Sequence, residues 1–192
     1  MQANARLPQI ILIVTFVGFS WLAMQAVHEL GHVLGGIASG GKVVKVVLSP
    51  STLSRTDVSP NPHPLFEVWS GAAVGTILPL VAFLIAGRFR CPGLYLFRFF
   101  AGFCLIANGV YLGIGSLERI ADASELLAYG SQRWQLILFG IATVPLGLYL
   151  WNGLGRHFGL GEAQGKVSRS ATAVSACLFV AAVAVEMMVG SR

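Results

Sequence analysis

The most constraining feature of this chain is a long run of uncharged, mostly apolar residues near its start. Residues 7–26 contain no Asp, Glu, Lys or Arg, and residues 33–38 continue the same apolar character. About 20 consecutive apolar residues let a helix cross the hydrocarbon core of a bilayer, where an unpaired backbone group finds no water. The run therefore predicts a membrane-spanning helix that begins near Pro8 and ends before Gly40 and Gly41.

The composition of the rest of the chain agrees with a membrane location. The chain is 55% hydrophobic and 11% charged, whereas soluble domains carry about 25% charged residues. Four further apolar segments follow, at residues 66–86, 93–115, 134–151 and 171–189. We therefore predict an all-α polytopic protein of the cell membrane with about five transmembrane helices. The net charge of +5 comes largely from Lys and Arg between these segments, which indicates a lipid bilayer as partner and not nucleic acid.

We expect residues 1–192 to form a single membrane domain. Residues 7–130 would make its core, and residues 131–192 would add two accessory transmembrane helices. Arg6 followed by an apolar run is also typical of a signal peptide. Because the helical pattern continues unbroken through residue 32, we expect no cleavage there.

The first apolar segment carries the pentad His-Glu-Leu-Gly-His at residues 28–32. Residues four apart share one face of a helix, so His28 and His32 can offer imidazole nitrogens to one metal ion. Glu29 is turned about 100° away, which suits a general base that reaches water at the metal without being a ligand. Two ligands and a base from one helical turn are typical of zinc metalloproteases. The alternative is a buried, hydrogen-bonded His and Glu cluster that holds helices together.

The residue pattern changes after this helix. Residues 42–48 are rich in valine and stop before Pro50, and residues 51–59 are polar, which predicts a strand or a hairpin at the membrane surface. We expect its open edge either to pair with an extended substrate or to be a simple amphipathic edge with solvated lysines.

Two of the later segments carry residues that suggest how the helices meet. Gly71 and Gly75 lie four positions apart, which favours close packing of the second span against a neighbour. Asn108 is strongly polar and lies deep in the third span. We expect it to make a hydrogen bond between helices or, alternatively, to orient the carbonyl group of a substrate.

A third metal ligand must come from elsewhere in the chain. Catalytic zinc takes three protein ligands, and the pentad supplies two. Glu118, Asp122 and Glu125 follow the third span at helical spacing, and any of them could coordinate. Asp122 and Glu125 also fit a capping box with Asp122 as the N-cap, so spacing alone leaves both roles open.

These features together resemble the site-2 protease family of intramembrane zinc metalloproteases, and in particular its short bacterial members. The resemblance covers about residues 7–130. It rests on the pentad, on Gly40-Gly41-Lys42 before a valine-rich strand, on the small-residue span and on the later aspartate. It implies that Asp122 is the third ligand of one Zn²⁺ per chain. It also implies a transmembrane protein or a membrane-associated peptide as substrate, as in regulated intramembrane proteolysis.

The expected function is hydrolysis of a peptide bond inside the bilayer, with His28, His32 and Asp122 as zinc ligands and Glu29 as the catalytic base. The chain departs from the family in two places. It has Asp-Ala where members have Asp-Gly, and it lacks the Pro and Asn of a Gly-Pro-x-x-Asn motif at Gly71. The alternative is therefore a catalytically inactive relative that binds or regulates partners in the membrane. A di-iron site is disfavoured because no second Glu-x-x-His pair exists.

Overall fold

The computed structural model describes residues 2–163 and 165–190, and it is 75% helical. Within these residues, five helices are long and apolar enough to cross a membrane, which confirms the prediction of an all-α polytopic fold. In chain order the elements are α1 (Gln2–Ala38), β1 (Val43–Val47), β2 (Arg55–Val58), α2 (Pro64–Arg88), α3 (Leu94–Glu118), α4 (Ala121–Ala128), α5 (Arg133–Trp151), two short 3₁₀ turns (Gly155–Phe158 and Gly161–Ala163) and α6 (Arg169–Gly190).

The first helix begins earlier than predicted, because Pro8 lies inside α1 and not at its start. The helix α6 packs along this part of α1. Thr172 donates a hydrogen bond to the carbonyl oxygen of Pro8 at 3.4 Å, and the hydroxyls of Thr15 and Ser175 lie 2.7 Å apart. Because the contacts advance in the same direction along both helices, α1 and α6 run parallel. A proline inside a membrane helix is tolerated when neighbouring helices support it.

The strands β1 and β2 form an antiparallel hairpin, which confirms the predicted strand or hairpin. The register pairs Lys45 with Asp57 and Val47 with Arg55. The hairpin is bonded to α1, because the backbone N–H of Ser54 donates to Oε1 of Gln25 at 2.9 Å. The hairpin therefore lies against the half of α1 that carries the His-Glu-Leu-Gly-His pentad.

Glycines bring α1, α2 and α3 unusually close together. A Cβ atom at Gly31 would overlap the backbone of α2, and a Cβ atom at Gly71 would overlap Nε2 of His32. A Cβ atom at Gly75 would lie 2.9 Å from Oδ1 of Asn108 on α3. The predicted close packing at Gly71 and Gly75 is confirmed. The absence of a side chain at these positions also leaves room for His32 of α1 and Asn108 of α3.

The short helix α4 turns back against α2 and α3. Arg119 in the turn before α4 and Ala121 at its start have φ values of 54° and 44°, in the left-handed region that residues other than glycine seldom adopt. Ala123 and Leu126 are then fully buried in a cluster with residues of α2, α3 and α5. This anchoring holds the first turn of α4 beside α1. Of the remaining helices, α5 packs on α3 and α6 packs on α1.

Candidate metal centre

The polar residues of the pentad face the interior of the helix bundle. His28, Glu29 and His32 are 7%, 6% and 6% exposed, whereas Leu30 on the opposite face of α1 is 40% exposed. This follows from the helical period, which places residues 28 and 32 on one face and residue 30 on the other. The two imidazoles therefore enter the same buried space with Glu29 beside them.

Three potential ligand atoms converge in this space. Nε2 of His28 and Nε2 of His32 lie 3.0 Å apart. Oδ2 of Asp122 lies 2.7 Å from the first nitrogen and 3.2 Å from the second. His28, His32 and Asp122 also form the group of described residues whose donor atoms lie close enough together to hold one metal ion.

The other nitrogen of each imidazole is occupied by a hydrogen bond. Nδ1 of His28 lies 2.6 Å from Oδ1 of Asn108, whose amide nitrogen donates to the carbonyl oxygen of Cys104 at 2.9 Å. Nδ1 of His32 lies 2.8 Å from Oε1 of Glu67. Because an amide oxygen and a carboxylate oxygen accept hydrogen bonds, each Nδ1 is the donor. In the neutral imidazole, this leaves a lone pair on each Nε2 directed toward Asp122.

Two nitrogen lone pairs and a carboxylate oxygen in contact need a positive charge between them, supplied by protons or by a metal ion. The donor set fits a metal such as zinc, which binds His and Asp at about 2.0–2.2 Å in a tetrahedral arrangement. The edges of such a tetrahedron are about 3.3 Å long, close to the three observed separations of 2.7–3.2 Å.

Compared with known protein families, characterised proteins and solved structures, this chain shows no match.

Asp122 reaches the imidazoles from α4, where it is the second helical residue. The predicted capping role is wrong, because the N-cap is Ile120 and makes no side-chain capping bond. Burial by itself would raise the pKa of Asp122. With both imidazoles protonated and no metal bound, the hydrogen bonds and charge interactions with His28 and His32 hold that pKa well below its usual range. Glu118 and Glu125, the other predicted ligand candidates, lie outside this group of donor atoms.

Glu29 lines a cavity of about 420 Å³ whose walls come mainly from α1 and α3. Oε2 of Glu29 accepts a hydrogen bond from Oγ1 of Thr56 on β2 at 2.8 Å. Most of the other lining residues are apolar; they include Trp21, Met24, Leu53, Phe103, Ile106 and Trp151. The arrangement places a carboxylate and the His28 ring against a space that suits apolar groups.

Several residues of this centre were not predicted from the sequence. Glu67 contacts His32, and Thr56 contacts Glu29. The ring of Tyr111 lies edge-on to that of His28, with the ring centres 5.7 Å apart, and its hydroxyl is 3.5 Å from the backbone nitrogen of Asp122. All three were ordinary polar residues in the sequence, without a motif that pointed to the pentad.

Asn108 makes the hydrogen bond between helices that its depth in the third span predicted. It is 1% exposed, and its side chain joins α3 to His28 on α1. It also borders the cavity, so orientation of a substrate carbonyl by Asn108 stays a prediction.

Proposed function

We propose that this chain is an intramembrane zinc metalloprotease that hydrolyses a peptide bond of a membrane-spanning or membrane-associated substrate. The observation that carries the proposal is the convergence of His28 Nε2, His32 Nε2 and Asp122 Oδ2 within 2.7–3.2 Å of one another, beside a buried Glu29. The helices that supply the two imidazoles and the cavity walls are apolar enough to lie in a membrane. The cell membrane would be the site of action.

In the proposed reaction, three residues hold the metal and a fourth residue transfers a proton. His28, His32 and Asp122 would hold one Zn²⁺, which when bound supplies Lewis-acid activation of water and of the substrate carbonyl. The carboxylate of Glu29 accepts a proton from the attacking water as the water oxygen bonds to the carbonyl carbon. Glu29 then donates that proton to the amide nitrogen as the C–N bond breaks. Thr56 fixes the carboxylate orientation through its bond to Oε2.

The apolar cavity beside Glu29 supports a substrate with apolar side chains near the cleaved bond. Burial in the bundle limits bulk water, and the carboxylate lies at the edge of the cavity and not out in lipid. A substrate helix must be locally unwound before its carbonyl groups become accessible, since a helical backbone has its carbonyls hydrogen-bonded. Pairing of such an unwound segment with an open edge of the β1–β2 hairpin stays a prediction.

The proposal is tested with purified protein in detergent micelles and in lipid vesicles. Zinc content is measured first, and cleavage is then followed with casein and with a panel of labelled transmembrane peptides. We expect one zinc per chain in the wild type and in Glu29→Gln, with cleavage by the variant reduced about 100-fold or more. Cleavage by Glu29→Gln at the wild-type rate would rule out Glu29 as the base.

A second candidate is a catalytically inactive relative that binds or regulates partners in the membrane. It is favoured by the direct contact of Asp122 with both imidazoles, since protons alone could hold this cluster together. The absence of zinc from the wild-type protein, after purification in zinc-containing buffer, would support this candidate and contradict the protease.

A further inference from the structure

Glu67 is a buried carboxylate that joins the metal centre to the start of α2. It lies in the first turn of that helix and is 5% exposed. Its Oε1 is 2.8 Å from Nδ1 of His32, and its Oε2 accepts a hydrogen bond from the side-chain amide of Asn61 at 3.2 Å. Both carboxylate oxygens are therefore engaged, one with a metal-ligand candidate and one with the loop before α2.

We propose that Glu67 is a positioning residue that selects the metal-binding tautomer of His32 and fixes the direction of its ring. A carboxylate oxygen accepts the Nδ1 hydrogen, so the Nε2 lone pair is left for the ion. Gly71, one helical turn along α2, leaves room for the ring on the same side. Glu67 contacts the Nδ1 edge of the His32 ring and Gly71 borders its Nε2 edge, so the two residues together limit the position of the ring. This inference rests on the proposed function, since it assigns Glu67 a role toward the same zinc site.

The two histidines differ in what supports them. His28 bonds to the neutral amide of Asn108, whereas His32 bonds to the carboxyl group of Glu67. A carboxylate behind an imidazole raises the basicity of the ligand more than an amide does. We therefore expect His32 to be the ligand whose strength depends more on its supporting residue.

Asn61 offers a way to separate charge from hydrogen bonding at this position. Its Oδ1 is buried without a hydrogen-bond partner, so rotation of its amide group by 180° would present an acceptor in place of a donor. In a Glu67→Gln variant, the new side chain can still accept from His32 Nδ1 and can donate to the rotated Asn61. The variant removes the charge and keeps the geometry.

The test compares zinc affinity in four full-length proteins by competition with a chelator of known affinity. These are the wild type, Glu67→Ala, Glu67→Gln and the matched control Glu125→Gln. Glu125 is exposed on α4 and close enough to interact electrostatically with both Glu67 and His32, so its substitution removes a nearby charge without touching the imidazole. We expect a loss of affinity of about 10–100-fold in Glu67→Ala, about 3–10-fold in Glu67→Gln and less than about 3-fold in the control.

A second readout follows the tautomer directly. In protein carrying ¹⁵N-labelled histidine and loaded with zinc, the wild type and Glu67→Gln should show His32 with its hydrogen on Nδ1 and its metal on Nε2. In Glu67→Ala, the His32 signals should broaden or report mixed forms. A residue that merely supported the fold would lower the melting temperature of the zinc-free protein without changing these signals.

The outcomes separate the inference from the proposed function. A wild-type protein that binds no zinc contradicts the proposed function and this inference with it. If the wild type binds zinc and both Glu67 variants match Glu125→Gln, the inference is overturned while the zinc site stands. If Glu67→Ala does not fold, Glu67→Leu takes its place, because it fills similar space without a hydrogen-bond acceptor. An affinity of Glu67→Leu equal to that of the control overturns the inference, and a loss of about 10–100-fold with altered His32 signals supports it.

Discussion

The two halves of α1 are held to the rest of the bundle by different kinds of contact. In the first half, Phe16 packs with Phe99 and Phe158, with ring centres 5.5 and 6.3 Å apart. In the second half, about 18 Å further along the helix axis, His28 and His32 are held by hydrogen bonds to side chains of three other helices. We call these regions the aromatic end and the metal-site end.

The aromatic end and the metal-site end differ in how strongly their contacts depend on single atoms. At the aromatic end, Phe99 also stacks on Trp151 at 4.9 Å and contacts Phe158 at 5.2 Å, so several rings share the packing. At the metal-site end, each imidazole nitrogen has particular partners at a hydrogen-bonding distance. A single substitution is therefore expected to weaken packing at the aromatic end only in part, and to have a larger effect on metal binding at the metal-site end.

The largest expected effect is at Asp122. Asp122→Ala removes one of three proposed ligands, and we expect zinc content to fall from one per chain to nearly none, with an affinity loss of more than about 100-fold. Metal analysis after gel filtration measures this zinc content directly. Brief treatment of the wild type with a chelator should likewise remove its zinc. Glu118→Ala, on the exposed end of α3, is the control and should keep its zinc. Full zinc content in Asp122→Ala would assign the third ligand elsewhere.

A smaller but still large effect is expected from one added methyl group at the metal-site end. Gly71→Ala would place a Cβ atom into the ring of His32, so the imidazole must leave its present position beside Asp122. We expect zinc binding to weaken about 10–100-fold, as measured by chelator competition. Gly87→Ala is the matched control in the same helix, because its nearest neighbour would be 3.9 Å away. Equal affinity in the two variants would show that the ring position is not critical.

The smallest effect on the metal site is expected from the aromatic end. Phe99→Ala removes a ring that contacts four others, and we expect the free energy of unfolding to fall by about 1–3 kcal/mol. Zinc content should stay at the wild-type value. Thermal unfolding followed by circular dichroism tests the first expectation, with Phe97→Ala as control, since Phe97 is 42% exposed. Loss of zinc in Phe99→Ala would mean that the two ends are not independent.

The sequence predicted the parts of this molecule that depend on local chemistry. The five spans follow from hydropathy, since the bilayer imposes the same demand on each helix. The shared face of His28 and His32 follows from helical spacing. The start of α1 was wrong because Pro8 is usually a boundary, whereas here a parallel neighbouring helix packs beside it.

The supporting contacts could not be predicted because they join distant parts of the chain. Asp122 is 94 positions from His28, and its spacing to Glu125 fits a cap as well as a ligand. Glu67 is 35 positions from His32, and an acidic residue in a first helical turn already has an ordinary explanation in the helix dipole. Thr56 lies in a four-residue strand whose position against Glu29 is set by tertiary packing alone.

The hydrogen bond from Thr56 to Glu29 joins the proposed catalytic base to the β1–β2 hairpin. A two-stranded hairpin is marginally stable by itself, and local opening of such an element costs far less than unfolding of a helix bundle. If the hairpin opened, Glu29 would lose this partner while His28, His32 and Asp122 stayed in place on α1 and α4. Under the proposed function, the fraction of time for which the hairpin is docked would set an upper limit on turnover, and a partner that clamps the hairpin would act as an activator without approaching the zinc site.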